Sequence, residues 1–193
     1  PSLNARLPLH FNAAGVPNRY GSKTEFAGSV LVVSAIGLLT GLLVRFLPLI
    51  DPKKKAKYSQ ATFVRISHAV IFLISAISFL VIYSGTQTHF KMPVKIFLPL
   101  MGLFFAYLGN LLNSVKPNYF VGIRTPWTLE NEEVWRKTHR LAAKLWLPGG
   151  IILAALGWAL TGAAAQIVFI GGLLVIALVP VIYSYIYYRH LPK

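Results

Sequence analysis

Five stretches of about twenty residues, almost free of charge, decide what this chain can fold into. They cover residues 26–47, 63–83, 94–112, 141–160 and 166–187. A bilayer core takes about 20 mostly apolar residues per helix. Inside it, backbone amides must bond within a helix or a closed barrel. The stretches predict an all-α, polytopic helical membrane protein with five transmembrane helices in this chain. Charged residues make up 12% and apolar residues 55% of the sequence, against roughly a quarter charged in soluble domains, so a soluble globular domain is excluded. Gly28, Gly37 and Gly41 in the first stretch suit close helix packing. Pro99 and Pro180 predict kinks in the third and fifth.

The net charge is +14, from 19 basic and 5 acidic residues. Direct nucleic-acid binding would need a water-exposed basic surface, and too little of the chain is free to form one. The basic residues instead report orientation, because cytoplasmic loops collect Lys and Arg. One group is Arg45, Lys53, Lys54, Lys55, Lys57 and Arg65; a second is Lys116, Arg124, Arg136, Lys137, Arg140 and Lys144; Arg189 and Lys193 close the chain. On the other side stand only Arg6, Arg19, Lys23, Lys91 and Lys95. This predicts two basic loops and the C-terminus in the cytoplasm, with residue 1 outside. Since the chain opens at Pro1 without a signal-peptide pattern, a sixth helix upstream is expected. The lysines of 53–57 read as an anchor that attracts anionic headgroups.

Catalytic chemistry finds little support. Without Cys there is no thiolate zinc site, iron–sulfur cluster or thiol nucleophile. No HExxH, GxSxG or P-loop occurs. Ser67 and His68 are neighbours, so on a helix they point about 100° apart and form no dyad. None of the five stretches holds Asp or Glu, which argues against proton-coupled transport. The expectation is a binding protein, not an enzyme, with the lipid bilayer as its surroundings and no cofactor or metal. The alternative is an enzyme or transporter acting on a lipid or peptide from one of the two loops. His68 lies inside the second stretch and is expected to hydrogen-bond Ser67, Asn110, Asn113 or a backbone carbonyl.

Two loops carry the unusual residues. The outer one, LPLHFNAAGVPNRYGSKTEF at 7–26, is rich in turn formers: Asn12, Gly15, Pro17, Asn18 and Gly21. Its candidate ligand-sensing residues are His10, Asn12, Gly15, Tyr20 and Lys23. His10 and Glu25 suit zinc, but no third ligand stands at useful spacing. The inner loop spans 115–146, and its candidates are Asn118, Gly122, Arg124, Thr125, Pro126, Trp127, Glu133, Trp135 and His139. Thr128 is the expected helix N-cap. After it Val134, Trp135, Thr138, His139, Ala142 and Leu145 recur at three and four, predicting an amphipathic helix that feeds the fourth span. Glu132 with Arg136, and Glu133 with Lys137, stand four apart. Trp127 and Trp135 are too apolar for water, so the loop should fold back onto the helix ends. Arg124 should hold it there through backbone carbonyls, Glu132 or Glu133.

The run NYFVGIRTPWTLENEEVWRKTHR closely resembles the signature of the SdpI family of bacterial membrane proteins. The run LPLHFNAAGVPNRYGSK resembles the outer loop of a small domain of unknown function that often precedes it. The resemblance implies two modules, 1–60 and a four-helix membrane domain at 61–193. It also implies a multi-pass protein of the bacterial inner membrane that acts in immunity and signal transduction. Its partners would be a secreted peptide toxin outside and a cytosolic transcriptional repressor that it sequesters.

Overall fold

A computed structural model describes residues 6–12, 14–52, 59–87, 89 and 92–191. A hairpin, β1 (Leu7–Phe11) and β2 (Pro17–Gly21), opens the fold. The helices α1 (Lys23–Ile50), α2 (Gln60–Thr86), α3 (Val94–Leu112), α4 (Pro126–Glu130), α5 (Glu132–Ala159) and α6 (Gly162–Arg189) follow. All but α4 are long and apolar enough to cross a membrane. The chain is a multi-pass helical membrane protein. The lysine run at 53–57 lies outside the described residues.

The helix α3 coincides with its apolar stretch, whereas the other spans extend past theirs. At 28 residues, α5 is about 42 Å long, more than a hydrocarbon core about 30 Å thick requires. Its surplus is the amphipathic segment from Glu132, continuous with the fourth span. Val134, Trp135, Thr138, His139 and Ala142 are all buried, as their spacing predicts. Pro99 and Pro180 lie inside their helices, as do Pro48 and Pro148.

The turn-rich outer segment forms a hairpin. Its strands pair antiparallel, with Leu7 opposite Gly21 and His10 opposite Arg19. At the tip the Asn12 side-chain oxygen accepts the N–H groups of Ala14 and Val16, both at 3.0 Å. Gly15 has φ +75°, a conformation that glycine adopts without steric cost. The hairpin feeds α1 through Ser22, whose Oγ accepts the Glu25 N–H while Glu25 accepts the Ser22 N–H. This capping box occupies donors that a helix start leaves free.

Small residues set the helix packing. On α3, Gly102, Ala106 and Gly109 face the stretch of α5 from Trp146 to Ala154 so closely that a Cβ on Gly102 would collide with the Ala154 backbone. A Cβ on Gly150 would strike Ala106 in return. In hydrocarbon, where burial gives no hydrophobic gain, such backbone proximity is what drives association. In α1, Gly37 and Gly41 seat Ile74 and Ile71 of α2, whereas a Cβ on Gly28 would meet nothing within 4 Å. On the far side α5 packs on α6, where Trp146 Nε1–H donates to the Ile176 carbonyl at 2.7 Å. Leu98, Leu153, Ala165, Phe169 and Ile176 form the core of this half. Between α2 and α3 a cleft remains open.

Candidate functional site

The candidate residues gather at opposite ends of the bundle. At the end carrying the basic loops, the segment after α3 is tied into a compact knot of hydrogen bonds. Asn118 is fully buried and uses its whole amide: Nδ2 donates to the Lys116 and Val121 carbonyls, and Oδ1 accepts from the N–H groups of Phe120 and Val121. Lys116 N–H donates to Ser59 Oγ at 2.8 Å and Tyr119 N–H to Asp51 Oδ1 at 3.3 Å. The knot thus holds the end of α1 and the start of α2. Arg124 donates to the Tyr119 carbonyl, the backbone alternative among its expected partners.

The capping assignment differs from expectation. Thr125, not Thr128, caps α4: Thr128 N–H donates to Thr125 Oγ1 at 3.3 Å, and Thr125 N–H donates back to Thr128 Oγ1 at 2.8 Å. Pro126 takes the first helical position, where its missing N–H costs nothing. A second cap, Asn131, accepts from Glu133 and Val134 N–H and starts α5. The chain makes two consecutive helix starts where the sequence pattern predicts one.

Trp127 is half-buried, its Nε1–H donating to Ser184 Oγ on α6. Trp135 is 2% exposed and donates to the Val115 carbonyl at 2.9 Å. The loop therefore packs back on the bundle, as its aromatic content predicts. The partners of His139 fix its tautomer. Nδ1 faces the Trp135 carbonyl at 2.8 Å and must carry the proton; Nε2 accepts the Ile123 N–H at 3.0 Å. Gly122, at φ +119°, passes so close that a Cβ would collide with the imidazole. Glu133 accepts from the Tyr187 hydroxyl at 2.6 Å, and Lys137 lies over the Tyr187 ring at 5.9 Å. Sequence reasoning missed Asp51, Ser59, Ser184 and Tyr187. The single signal for Ser184 was a hydroxyl within an apolar run.

At the other end the hairpin tip meets the start of α3, where Met92 N–H donates to the Gly15 carbonyl at 2.8 Å. Beneath the tip lie two adjoining apolar cavities of about 520 and 390 Å³ that share Met92, Val94 and Gln166. Ala14 and Val16 line the first; Phe11, Asn12, Gly15 and Phe169 line the second. Of the outer candidates, Asn12 and Gly15 reach this site. His10 is exposed and its Nδ1 bonds Asn18 Oδ1 at 2.7 Å. Tyr20 and Lys23 are exposed at the base of the hairpin and the start of α1. Asn12 spends its side-chain oxygen on shaping the turn. Met92 and Phe169 were not among the candidates, because long-range packing alone brings them under the tip.

The basic-end knot and the helices after it match a known family. Residues 114–184 fit the family model described as the SdpI/YfhL protein family. Over that segment the chain is similar to the SdpI/YfhL family. It is also 30% identical over 122 residues to the Immunity protein SdpI of Bacillus subtilis (strain 168). That alignment covers 63% of this chain and 57% of the relative, so the chain matches little more than half of the relative's length. No solved structure matches the chain. The SdpI segment begins at Ser114, just before the knot, and ends at Ser184, the residue that receives Trp127.

Proposed function

We propose that this SdpI-family protein confers immunity by binding a hydrophobic secreted peptide toxin in the paired cavities under the hairpin tip. The observation that carries the reading is the position of that apolar space. It lies at the end of the bundle away from the basic loops, roofed by Phe11, Asn12 and Gly15 and walled by Met92 and Phe169. Pockets that take ligands are mostly apolar with a few polar groups, and an amphipathic peptide fits this chemistry. The relative named as an immunity protein supports the same class of function.

In this reading the hairpin end faces outward, and the basic end and the C-terminus face the cytoplasm of a bacterial cell. Residues 1–60 serve as a sensing module and 61–193 as the membrane domain. The exposed Arg124, Arg136 and Arg140 around the knot offer the cytosolic surface for a transcriptional repressor. The acid-poor spans support binding over catalysis.

The test is growth of toxin-sensitive cells exposed to the secreted toxin of an SdpI system, with and without this chain. Val16→Lys places a charge at the cavity lip on a side chain that is 47% exposed in the folded chain. Protection should fall by about ten-fold, the scale of removing one central side chain from an interface, with membrane abundance unchanged. Full protection by that variant, or no protection by the unaltered chain, overturns the proposal.

A further inference from the structure

A second cleft, at the seam between α2 and α3, has a chemistry of its own. It measures about 470 Å³ and is lined by Phe72, Leu100, Leu103 and Phe104 with two polar residues, His68 and Tyr107. His68 bonds none of its expected partners: it makes no hydrogen bond among the described residues. The same is true of the Tyr107 hydroxyl and of Arg65, one turn before His68 on α2. All three are exposed in the folded chain. His68 stands five residues inside the apolar stretch that starts at residue 63. Tyr107 stands five residues inside the end of α3 at Leu112. Both therefore lie about 7.5 Å within their spans, at one depth and on the same, basic side. Polar groups at membrane depth without partners are costly and mark functional positions.

We propose that this cleft holds one anionic phospholipid. Its acyl chain lies against Phe72, Leu103 and Phe104; its ester carbonyls accept from His68 and Tyr107; its phosphate meets Arg65. The donors decide the occupant. The guanidinium can only donate, and the imidazole and the phenol each have a proton to donate as well, so the set favours a ligand rich in acceptors, with negative charge at the Arg65 end. A transmembrane helix from a second copy spends its backbone carbonyls internally, and the apolar stretches of this chain carry no Asp or Glu to serve instead. A phospholipid presents ester oxygens, then a phosphate, in the order in which the cleft presents its donors. The net charge of +14 favours an anionic headgroup over a neutral one. The bilayer supplies such molecules laterally, straight into a cleft that opens between two helices. The site is separate from the paired cavities under the hairpin and stands whether or not they take a toxin.

Native mass spectrometry of the full chain tests this, after incubation with equal amounts of phosphatidylglycerol and phosphatidylcholine. One phosphatidylglycerol should be retained, with a preference of at least about five-fold over phosphatidylcholine, as expected for electrostatic attraction at a basic site. The double variant His68→Phe with Tyr107→Phe should lower retention of both lipids. Arg65→Gln should keep the lipid and lose the preference. Arg65 is exposed, so that variant carries the test alone if the double variant does not fold. Equal retention of the two lipids by the unaltered chain, unchanged retention in a folded double variant, an unchanged preference in Arg65→Gln, or a dimer in place of a lipid adduct overturns the proposal.

Discussion

Trp135 and His139 stack one helical turn apart, with ring centroids 4.1 Å apart and planes 19° from parallel. The stack is anchored at both ends of the pair. Trp135 donates to Val115, just past α3, and His139 accepts from Ile123, just before α4. One turn of α5 thereby grips both ends of the segment from Val115 to Ile123, in which the signature run begins. The residues of that signature are accordingly structural first: Asn118, Trp135 and His139 spend their polar atoms on the chain itself.

His139→Phe keeps the stack and removes the acceptor for the Ile123 N–H. Leaving a buried donor without a partner costs about 1–3 kcal/mol. The variant should melt several degrees lower when unfolding is followed by tryptophan near-ultraviolet circular dichroism. Equal melting temperatures would mean that the Ile123 bond contributes nothing.

The glycines offer a paired test of helix packing. Gly150→Ala sets a Cβ against the backbone of Ala106, and Gly28→Ala sets one in open space. The first should destabilise by several kcal/mol, since neither backbone can yield cheaply, as for overpacking in a dense interior. The second should be neutral or stabilising by up to about 1 kcal/mol, because Ala is the better helix former. Thermal unfolding of both in one detergent would separate them, and a reversed order would refute the α3–α5 seam.

Single cysteines at Lys55 and His89 test orientation. The antiparallel order of the bundle sets the α1–α2 and α2–α3 connections at opposite ends, and the orientation proposed from the basic residues has the first in the cytoplasm. An impermeant thiol reagent on intact cells should label His89→Cys and spare Lys55→Cys until the cells are opened. Labelling of both from outside would overturn the orientation.

Local chemistry was the legible part. Apolar length marked every span, and α3 matched to the residue because charge and turn formers bound it on both sides. The period of three and four from Val134 marked the buried face of α5. The hairpin was hidden because Asn12 and Gly15 declare a turn without declaring strands. The Thr125 cap was hidden because Thr128 has the same hydroxyl, and only Pro126 separates the two choices by favouring the first helical position. The cavities and the unpaired His68 lie beyond local signals altogether. They depend on which helices meet, and the facing glycines of α3 and α5 are informative only once both helices are known to touch.

Thr138 gives the last prediction. It is fully buried on α5, and its Oγ1 is the one buried side-chain nitrogen or oxygen among the described residues without a hydrogen-bond partner. A hydroxyl taken from water and left unbonded costs about 1–3 kcal/mol. Its neighbours at three and four, Val134, Trp135 and Ala142, are buried as well, so a methyl in its place meets apolar surroundings. Thr138→Val keeps the branched shape and removes the unbonded oxygen. The variant should gain about 1 kcal/mol, which corresponds to about 2–4 °C in melting temperature for a chain of this size. Thr138→Ser keeps the hydroxyl and removes a methyl, so it should lose about 1 kcal/mol of stability with the apolar burial of that methyl. Opposite shifts in these two variants identify an unbonded hydroxyl in a tight apolar site. A fall in melting temperature for Thr138→Val would instead mean that the hydroxyl is bonded in the membrane-embedded protein.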